Sequence, residues 1–254
     1  MLRALARRRP RHAWIAELSL FALALLVYQA SRSLVIGSPA TAFENAHALI
    51  AFEKQAGLFV EASIQDRVLD HAGLVEALNV FYLTAHWIVT PLFFIWLYRR
   101  RRAVYPSVRN AFLAANGIAL VVFMLYPVAP PRLAGGGEGL VDTLHQVSGV
   151  DLHGGMLSGW FNPYAAVPSM HFGYAALIGV VGFALLRGWH LRAIALAYPA
   201  VVFLTIVGTA NHYILDAVAG GLVMALGAVA VTAWCARRDA CRAEPQMSNC
   251  SLAR

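Results

Sequence analysis

Two short stretches of this sequence carry side chains whose types and spacing could do chemistry: Pro168-Ser169-Met170-His171 and His212-Tyr213-Ile214-Leu215-Asp216. Each stands at the start of a long apolar run, where packing alone does not require a histidine. Asp216 follows His212 by four residues, so on a helix the carboxylate and the imidazole share a face. Because an ionisable group inside an apolar span is costly, this pair favours a functional role over a purely structural one.

Arg132, which follows two prolines, completes a set of residues suited to phosphoryl transfer. Its guanidinium can bind phosphate oxygens through two N–H groups at once. Pro168 favours the first turn of a helix, which would direct backbone N–H groups near Ser169 toward an anion. His212 can act as the nucleophile and His171 can protonate the leaving oxygen. This scheme needs no metal or other cofactor, and no set of ligand-type residues has a convincing metal spacing.

The composition is that of an integral membrane protein. Hydrophobic residues make up 59% of the 254 residues and charged residues only 13%, whereas a soluble domain is about 25% charged. The length suits an all-α, polytopic bundle of six transmembrane helices at about 20 residues per span. The net charge of +7 comes almost wholly from arginine. We interpret it as a topology signal rather than as a nucleic-acid-binding surface.

Six apolar runs are predicted to cross the bilayer, at about residues 14–36, 74–98, 108–126, 168–186, 194–207 and 212–234. The runs divide the chain into a basic N-terminus with the first span (1–36), an extracytoplasmic amphipathic segment (37–73), a catalytic transmembrane core (74–236) and a cytoplasmic tail (237–254).

The segment 37–73 differs from the spans because it mixes charged and apolar residues at helical spacing. Its charged residues are Glu44, Glu53, Lys54, Glu61, Asp66, Arg67 and Asp70. The pattern predicts one or two helices, broken at Gly57, with the charged side chains on the face away from the apolar one. Either these helices lie at the membrane interface or they form a solvated helical loop.

Four groups of arginines determine the predicted orientation in the membrane. They lie within residues 1–12, at 99–102, at Arg187 with Arg192, and at Arg237 with Arg238. With six spans all four groups fall on one side, and the positive-inside rule makes that side cytoplasmic, together with both termini. The fourth and sixth spans then both begin at the outer surface, so His171, His212 and Asp216 meet in an extracytoplasmic active site of a multi-pass cell-membrane protein.

Further polar residues could line a substrate pocket. Asn79, Tyr82 and His86 recur at helical spacing in the second span, and Asn211 directly precedes His212. Hydrogen bonding between helices is an equal alternative for the three residues of the second span.

The motifs Pro-Ser-x-His at 168–171 and His-x-x-x-Asp at 212–216 resemble those of the type 2 phosphatidic acid phosphatase superfamily, and the resemblance extends from about Leu74 to Trp234. It implies a six-span core in which His212 forms a phosphohistidine intermediate and His171 acts as the acid. It also implies a membrane lipid as the donor, with an alcohol or water as the acceptor.

Two departures from the phosphatase pattern favour one branch of that superfamily. Leu125 stands where the pattern has a lysine, and Thr205 and Ile206 stand where it has Ser-Arg, so two phosphate-binding cations are missing. The contexts of Arg132 and His212 resemble inositol phosphorylceramide synthases and sphingomyelin synthases, which move a phospho-headgroup from a lipid to an alcohol. A lipid phosphate phosphatase of the phosphatidic acid or polyprenyl phosphate type stays open, as does a transporter with a His/Asp proton relay.

Overall fold

The computed structural model describes the backbone of residues 13–31, 38–151 and 163–250, so the basic stretch used above at 1–12 lies outside the described residues. The described part is all-α, as predicted. Its helices are α1 (Ala13–Ser31), α2 (Pro39–Gln55), α3 (Glu61–Leu69), α4 (Ala72–Arg100), α5 (Tyr105–Leu125), α6 (Pro131–Ala134), α7 (Thr143–Gln146), α8 (Met170–Leu185), α9 (Trp189–Gly208) and α10 (Ile214–Cys250).

Four of the described helices are long and apolar enough to cross a membrane, namely α4, α5, α9 and the part Ile214–Arg238 of α10. They identify a multi-pass membrane protein. Helices α1 and α8 are also apolar, but their apolar stretches are shorter. At 1.5 Å per residue the 16 residues of α8 extend about 24 Å, against a hydrocarbon layer of about 30 Å. The count of six spans therefore stays a prediction.

Several helix ends differ from the sequence-based boundaries. Helix α9 begins at Trp189 instead of near 194 and has 20 residues, so the fifth span is not short. Helix α10 continues to Cys250, well beyond the predicted end near 234. Helix α8 begins at Met170 with Ser169 as its N-cap, which leaves Pro168 outside the first turn where it was expected. His212 likewise precedes α10 instead of lying within it.

Glycines allow α8 and α10 to approach each other closely at the end where the two motifs lie. A Cβ on Gly220 would be 2.0 Å from the carbonyl oxygen of Ser169, and one on Gly173 would be 2.9 Å from the carbonyl oxygen of Gly220. Further along α10, a Cβ on Gly227 would be 2.6 Å from the carbonyl oxygen of Ala111 in α5. Helix α10 therefore packs by backbone contact against both α8 and α5. The contact with α8 fixes the start of α8 against the first turns of α10.

The segment 37–73 contains two helices, α2 and α3, separated near Gly57, which has a φ of +68°. The expectation that the charged side chains lie apart from the packed face is wrong for Glu53 and Glu61, which are fully buried, although Glu44 is exposed. The physical reason is that both buried carboxyl groups accept backbone N–H groups at the start of α10. The two helices are thus attached to the end of the bundle that carries His212.

The loop between α5 and α8 is folded against the same end of the bundle. The backbone N–H of Val128 donates to the carbonyl of Tyr164, and that of Ala129 donates to the carbonyl of Ala42 in α2. Val128, Ala129 and Ala166 are buried in one cluster with Tyr213. This packing holds Ala166 in one cluster with Tyr213, the residue that follows His212.

Candidate active site

The two sequence motifs meet, as predicted, although 41 residues separate their histidines. The backbone N–H of Ser169 donates to the carbonyl oxygen of Asp216 at 2.8 Å. The ring centroids of His171 and His212 are 5.5 Å apart. The N-terminal ends of α8 and α10 therefore present both imidazoles to one space.

His212 is held in one orientation by two hydrogen-bond acceptors. Its Nδ1 is 3.0 Å from the carbonyl oxygen of Ala166 and 3.2 Å from Oδ2 of Asp216. Since a carbonyl and a carboxylate can only accept, Nδ1 carries a proton, and in the neutral ring the lone pair is then on Nε2. Nε2 is buried and has no hydrogen-bond partner among the described residues. The neutral ring would therefore have its basic nitrogen at Nε2.

Asp216 is itself fixed by the start of the helix that carries it. The residue is fully buried, and the Oδ2 atom that faces His212 also accepts the backbone N–H of Tyr213 at 2.9 Å. The pairing between Asp216 and His212 was expected from their spacing. What the spacing did not predict is that the imidazole lies just before the helix and is oriented by the capping arrangement around it.

His171 is half-buried and surrounded by aromatic rings of α4. Tyr82 stacks on it with ring centroids 4.5 Å apart, and His86 meets it edge-on at 4.4 Å. Tyr82 also lies 6.4 Å from the ring of His212. A small cavity begins at this cluster, with a wall formed by Phe81, Tyr82, Ala85, His86, His171, Tyr198, Val202, Thr205 and Ile206. Two of the residues considered for a substrate pocket, Tyr82 and His86, therefore lie beside the histidines.

Arg132 is brought close to the motif of α10 by its backbone. Its N–H donates to the carbonyl oxygen of Ala210 at 2.8 Å, two residues before His212. The guanidinium is almost fully buried, and its Nη1 lies 3.2 Å from Oδ2 of Asp142. Asp142 also caps α7 by accepting the backbone N–H of His145. The arginine thus has an acidic neighbour that the sequence did not reveal.

Ser169 acts as the N-cap of α8. Its hydroxyl accepts the backbone N–H of Phe172 at 3.5 Å, and its own backbone N–H donates to the carbonyl oxygen of Asp216. The expected set of free N–H groups around Ser169 is therefore smaller than the sequence suggested. An anion at this helix start would meet the N–H groups of Met170 and His171 instead.

Asn79 and Asn211 make local hydrogen bonds. The Asn79 amide donates to the carbonyl of Thr143 and to the hydroxyl of Ser148, and its oxygen accepts the hydroxyl of Thr143. It joins α4 to the loop between α5 and α8 and is not among the residues that line the cavity. Asn211 donates to the hydroxyl of Thr209 at 2.7 Å, and its buried Oδ1 has no partner within the described residues.

Two acidic residues that the sequence analysis expected on the outward, charged face of the segment 37–73 lie near the site. Glu61 accepts the backbone N–H of Ile214 at 3.0 Å, and Glu53 accepts that of Leu215 at 2.9 Å. Burial, with a smaller contribution from the neighbouring Glu61 and against the lowering effect of the Leu215 N–H, raises the pKa of Glu53 to about 8. Burial also raises the pKa of Tyr213 above its usual value. Acidic residues at helical spacing are a weak signal of a buried site, because most such residues face water.

In the part of the chain that the structure describes, no group of three or more His, Cys, Asp or Glu side chains is arranged to hold an ion.

Comparison with known proteins identifies the family of this chain. The family model of the PAP2 superfamily matches residues 47–231, and the chain belongs to that superfamily. It is 27% identical over 155 residues to the phosphoinositol dihydroceramide synthase of Bacteroides thetaiotaomicron. This match covers 56% of the chain and spans about half the length of that relative, 50%. No solved structure gives a significant match to the chain.

Proposed function

We propose that this protein is a membrane-embedded, metal-independent phosphotransferase. It moves a phosphoryl group or a phospho-headgroup from a lipid donor to an alcohol, through a phosphohistidine on His212. The observation that carries this proposal is the environment of the His212 ring. Two acceptors hold a proton on Nδ1, Nε2 is buried without a partner among the described residues, and the ring centroid lies 5.5 Å from that of His171. A nucleophile oriented by a carboxylate and placed beside an acid is the arrangement that covalent catalysis requires.

The first step joins the phosphorus of the donor to Nε2 of His212. As that N–P bond forms, the bond from phosphorus to the lipid oxygen breaks, and His171 gives its proton to the departing oxygen. Asp216 and the carbonyl of Ala166 accept the Nδ1–H throughout, and so stabilise the positive charge that develops on the ring.

The second step reverses the first with a different alcohol. The acceptor hydroxyl attacks phosphorus, the N–P bond to His212 breaks, and the proton of the hydroxyl passes to His171, which restores both histidines. Water can take the place of the alcohol at this step, which would make the same site a lipid phosphate phosphatase.

Charge on the transferring phosphate is neutralised without a cation from solution. Arg132 supplies a guanidinium whose backbone is tied to Ala210 near His212. The first-turn N–H groups of α8, at Met170 and His171, point in the direction that favours an anion. The shortage of other cationic groups at the site suits a donor whose phosphate is a diester with a single negative charge.

An alcohol in the bilayer is the preferred acceptor. The cavity beside His171 is lined mainly by apolar side chains of α4 and α9, including Ala85, Val202 and Ile206. The chain's relative is named for making a phosphoinositol dihydroceramide, which is a lipid alcohol carrying a phospho-headgroup. Both observations support transfer to a lipid hydroxyl over transfer to water.

The proposal includes an orientation in the membrane. Counting α1 and α8 with the four long helices gives six spans, with both termini in the cytoplasm. The starts of α8 and α10, with the interfacial pair α2 and α3, then lie at the extracytoplasmic face. The core 74–236 carries the catalysis and 237–254 is the cytoplasmic tail.

Purified enzyme supplied with a lipid phosphodiester and increasing amounts of a long-chain alcohol tests this proposal. Transfer product should rise as hydrolysis product falls, because the two acceptors compete for one intermediate. His212→Ala should abolish both products, and Asp216→Asn should reduce both. Acid-labile, base-stable phosphate on the wild-type protein but not on His212→Ala would identify the intermediate. Hydrolysis that persists in His212→Ala would refute the covalent mechanism.

A further inference from the structure

Three carboxyl groups meet the beginning of α10. Asp216 accepts the N–H of Tyr213, Glu61 that of Ile214 and Glu53 that of Leu215, all within 3.0 Å. All three acids are fully buried. Successive N–H groups of the turn that follows His212 are therefore each held by an acid from a different helix: α10, α3 and α2.

The charges in this cluster do not balance if every acid is ionised. Glu53 and Glu61 face each other and Asp216, and the further titratable groups here are Tyr213 and His212. Lys54, next in sequence to Glu53, pairs with Glu138 at the surface instead. Oε2 of Glu53 and Oε2 of Glu61 each lack a donor among the described residues. Buried carboxylates this close to one another are stable when one of them carries a proton.

We propose that Glu53 and Glu61 are positioning residues that, by holding the first N–H groups of α10, set the position of His212 and Asp216 for catalysis. This inference rests on the proposed function of His212. It assigns to α2 and α3 a part in the chemistry: they fix the nucleophile without touching the substrate.

The protonation of Glu53 makes the stability of the fold depend on pH. The pKa of Glu53 is about 8 in the folded protein, against 4.5 for an unperturbed glutamate. Between these values the folded state holds a proton that the unfolded chain releases, so the free energy of unfolding falls as pH rises and levels off above about 8. Above that pH a second negative charge repels Asp216 and loosens the start of α10, and turnover should fall.

The test compares the pH dependence of kcat in four proteins: wild type, Glu53→Gln, Glu53→Ala and Glu44→Gln. Glutamine keeps the acceptor for Leu215 but cannot ionise, so the alkaline decline of kcat should move to higher pH in Glu53→Gln. Alanine removes the acceptor, so kcat should fall roughly tenfold with the KM for the donor nearly unchanged. Glu44 lies on the exposed face of α2, and its variant should follow the wild-type curve.

The outcomes separate this inference from the proposed function. An alkaline limb of Glu53→Gln that coincides with that of the wild type would overturn the positioning role, even if phosphate still labels His212. The same holds if Glu53→Ala keeps the wild-type kcat. If Glu53→Ala does not fold, Glu53→Gln alone tests the inference. Its kcat should be measured across pH as above. Its melting temperature should fall less than that of the wild type between pH 6 and pH 9. Absence of label on wild-type His212 would instead count against the proposed function.

Discussion

The backbone N–H of Ser169 donates to the carbonyl oxygen of Asp216 at 2.8 Å, so the N-cap of α8 is bonded to the first turn of α10. This single bond ties together the two motifs on which the proposed chemistry depends. It exists because Gly220 presents no side chain where α10 crosses the carbonyl of Ser169. The relative position of His171 and His212 is therefore set by backbone contact, which leaves little freedom for either ring to move away.

Gly220→Ala should separate the two motifs. The added Cβ would lie 2.0 Å from the carbonyl oxygen of Ser169, so α8 must shift. Overpacking of this kind costs about 1–3 kcal/mol of stability, and kcat should fall with it. Gly221→Ala is the matched control, because its Cβ would meet the Phe172 ring at an ordinary 3.5 Å. That variant should be neutral or up to about 1 kcal/mol more stable, since alanine favours a helix. Equal behaviour of the two variants in thermal unfolding and turnover would contradict this account.

Much of the fold and half of the site could be predicted from the sequence. Apolar run lengths and arginine clusters locate the long helices because the bilayer imposes one simple constraint on them. His171, His212 and Asp216 are predictable since ionisable groups are rare in such runs. Glu53 and Asp142 are not, because acids in mixed-polarity segments ordinarily face water, and only the tertiary contacts with Leu215 and Arg132 reveal their positions.

Asp142→Asn should strengthen the binding of phosphate to the site. The Asp142 carboxylate lies against the Arg132 guanidinium and competes with an anionic ligand for it. Asparagine can still accept the His145 N–H that caps α7 but carries no charge. Inhibition by inorganic phosphate should become roughly two- to fivefold tighter. The control is Glu138→Gln. Glu138 lies in the same loop as Asp142 but pairs with Lys54 at the surface, so its replacement should leave the inhibition constant unchanged. Weaker inhibition in Asp142→Asn would mean that Asp142 holds Arg132 in place instead.

Removal of divalent metal should not affect turnover. The proposed scheme neutralises phosphate with Arg132 and the start of α8, so no ion takes part in either step. Initial rates with and without EDTA should agree within error, for both transfer and hydrolysis. Loss of activity that a single divalent ion restores would require a metal site and refute the scheme.

The orientation in the membrane can be tested with introduced thiols. In a variant lacking the three native cysteines, Gly137→Cys lies at an exposed position of the loop between α5 and α8. An impermeant maleimide should label it in intact cells. Arg100→Cys, at the exposed end of α4, should be labelled only after permeabilisation, since the arginine run 99–102 marks the cytoplasmic side. The reverse pattern would place the histidines on the cytoplasmic face.

The choice between lipid alcohol and water should depend on the cavity between α4 and α9. Val202 is buried in its wall, so Val202→Phe fills space that the acceptor chain would occupy. Water needs no such space. The ratio of transfer to hydrolysis should therefore fall several-fold, with the KM for the alcohol raised and donor cleavage largely kept. Val201→Phe makes the same change one position earlier, where the side chain is 44% exposed and faces away from the cavity. It should keep the wild-type ratio. If Val202→Phe lowers both products equally, the cavity serves the donor or the positioning of His171, and the acceptor reaches the phosphohistidine by another route.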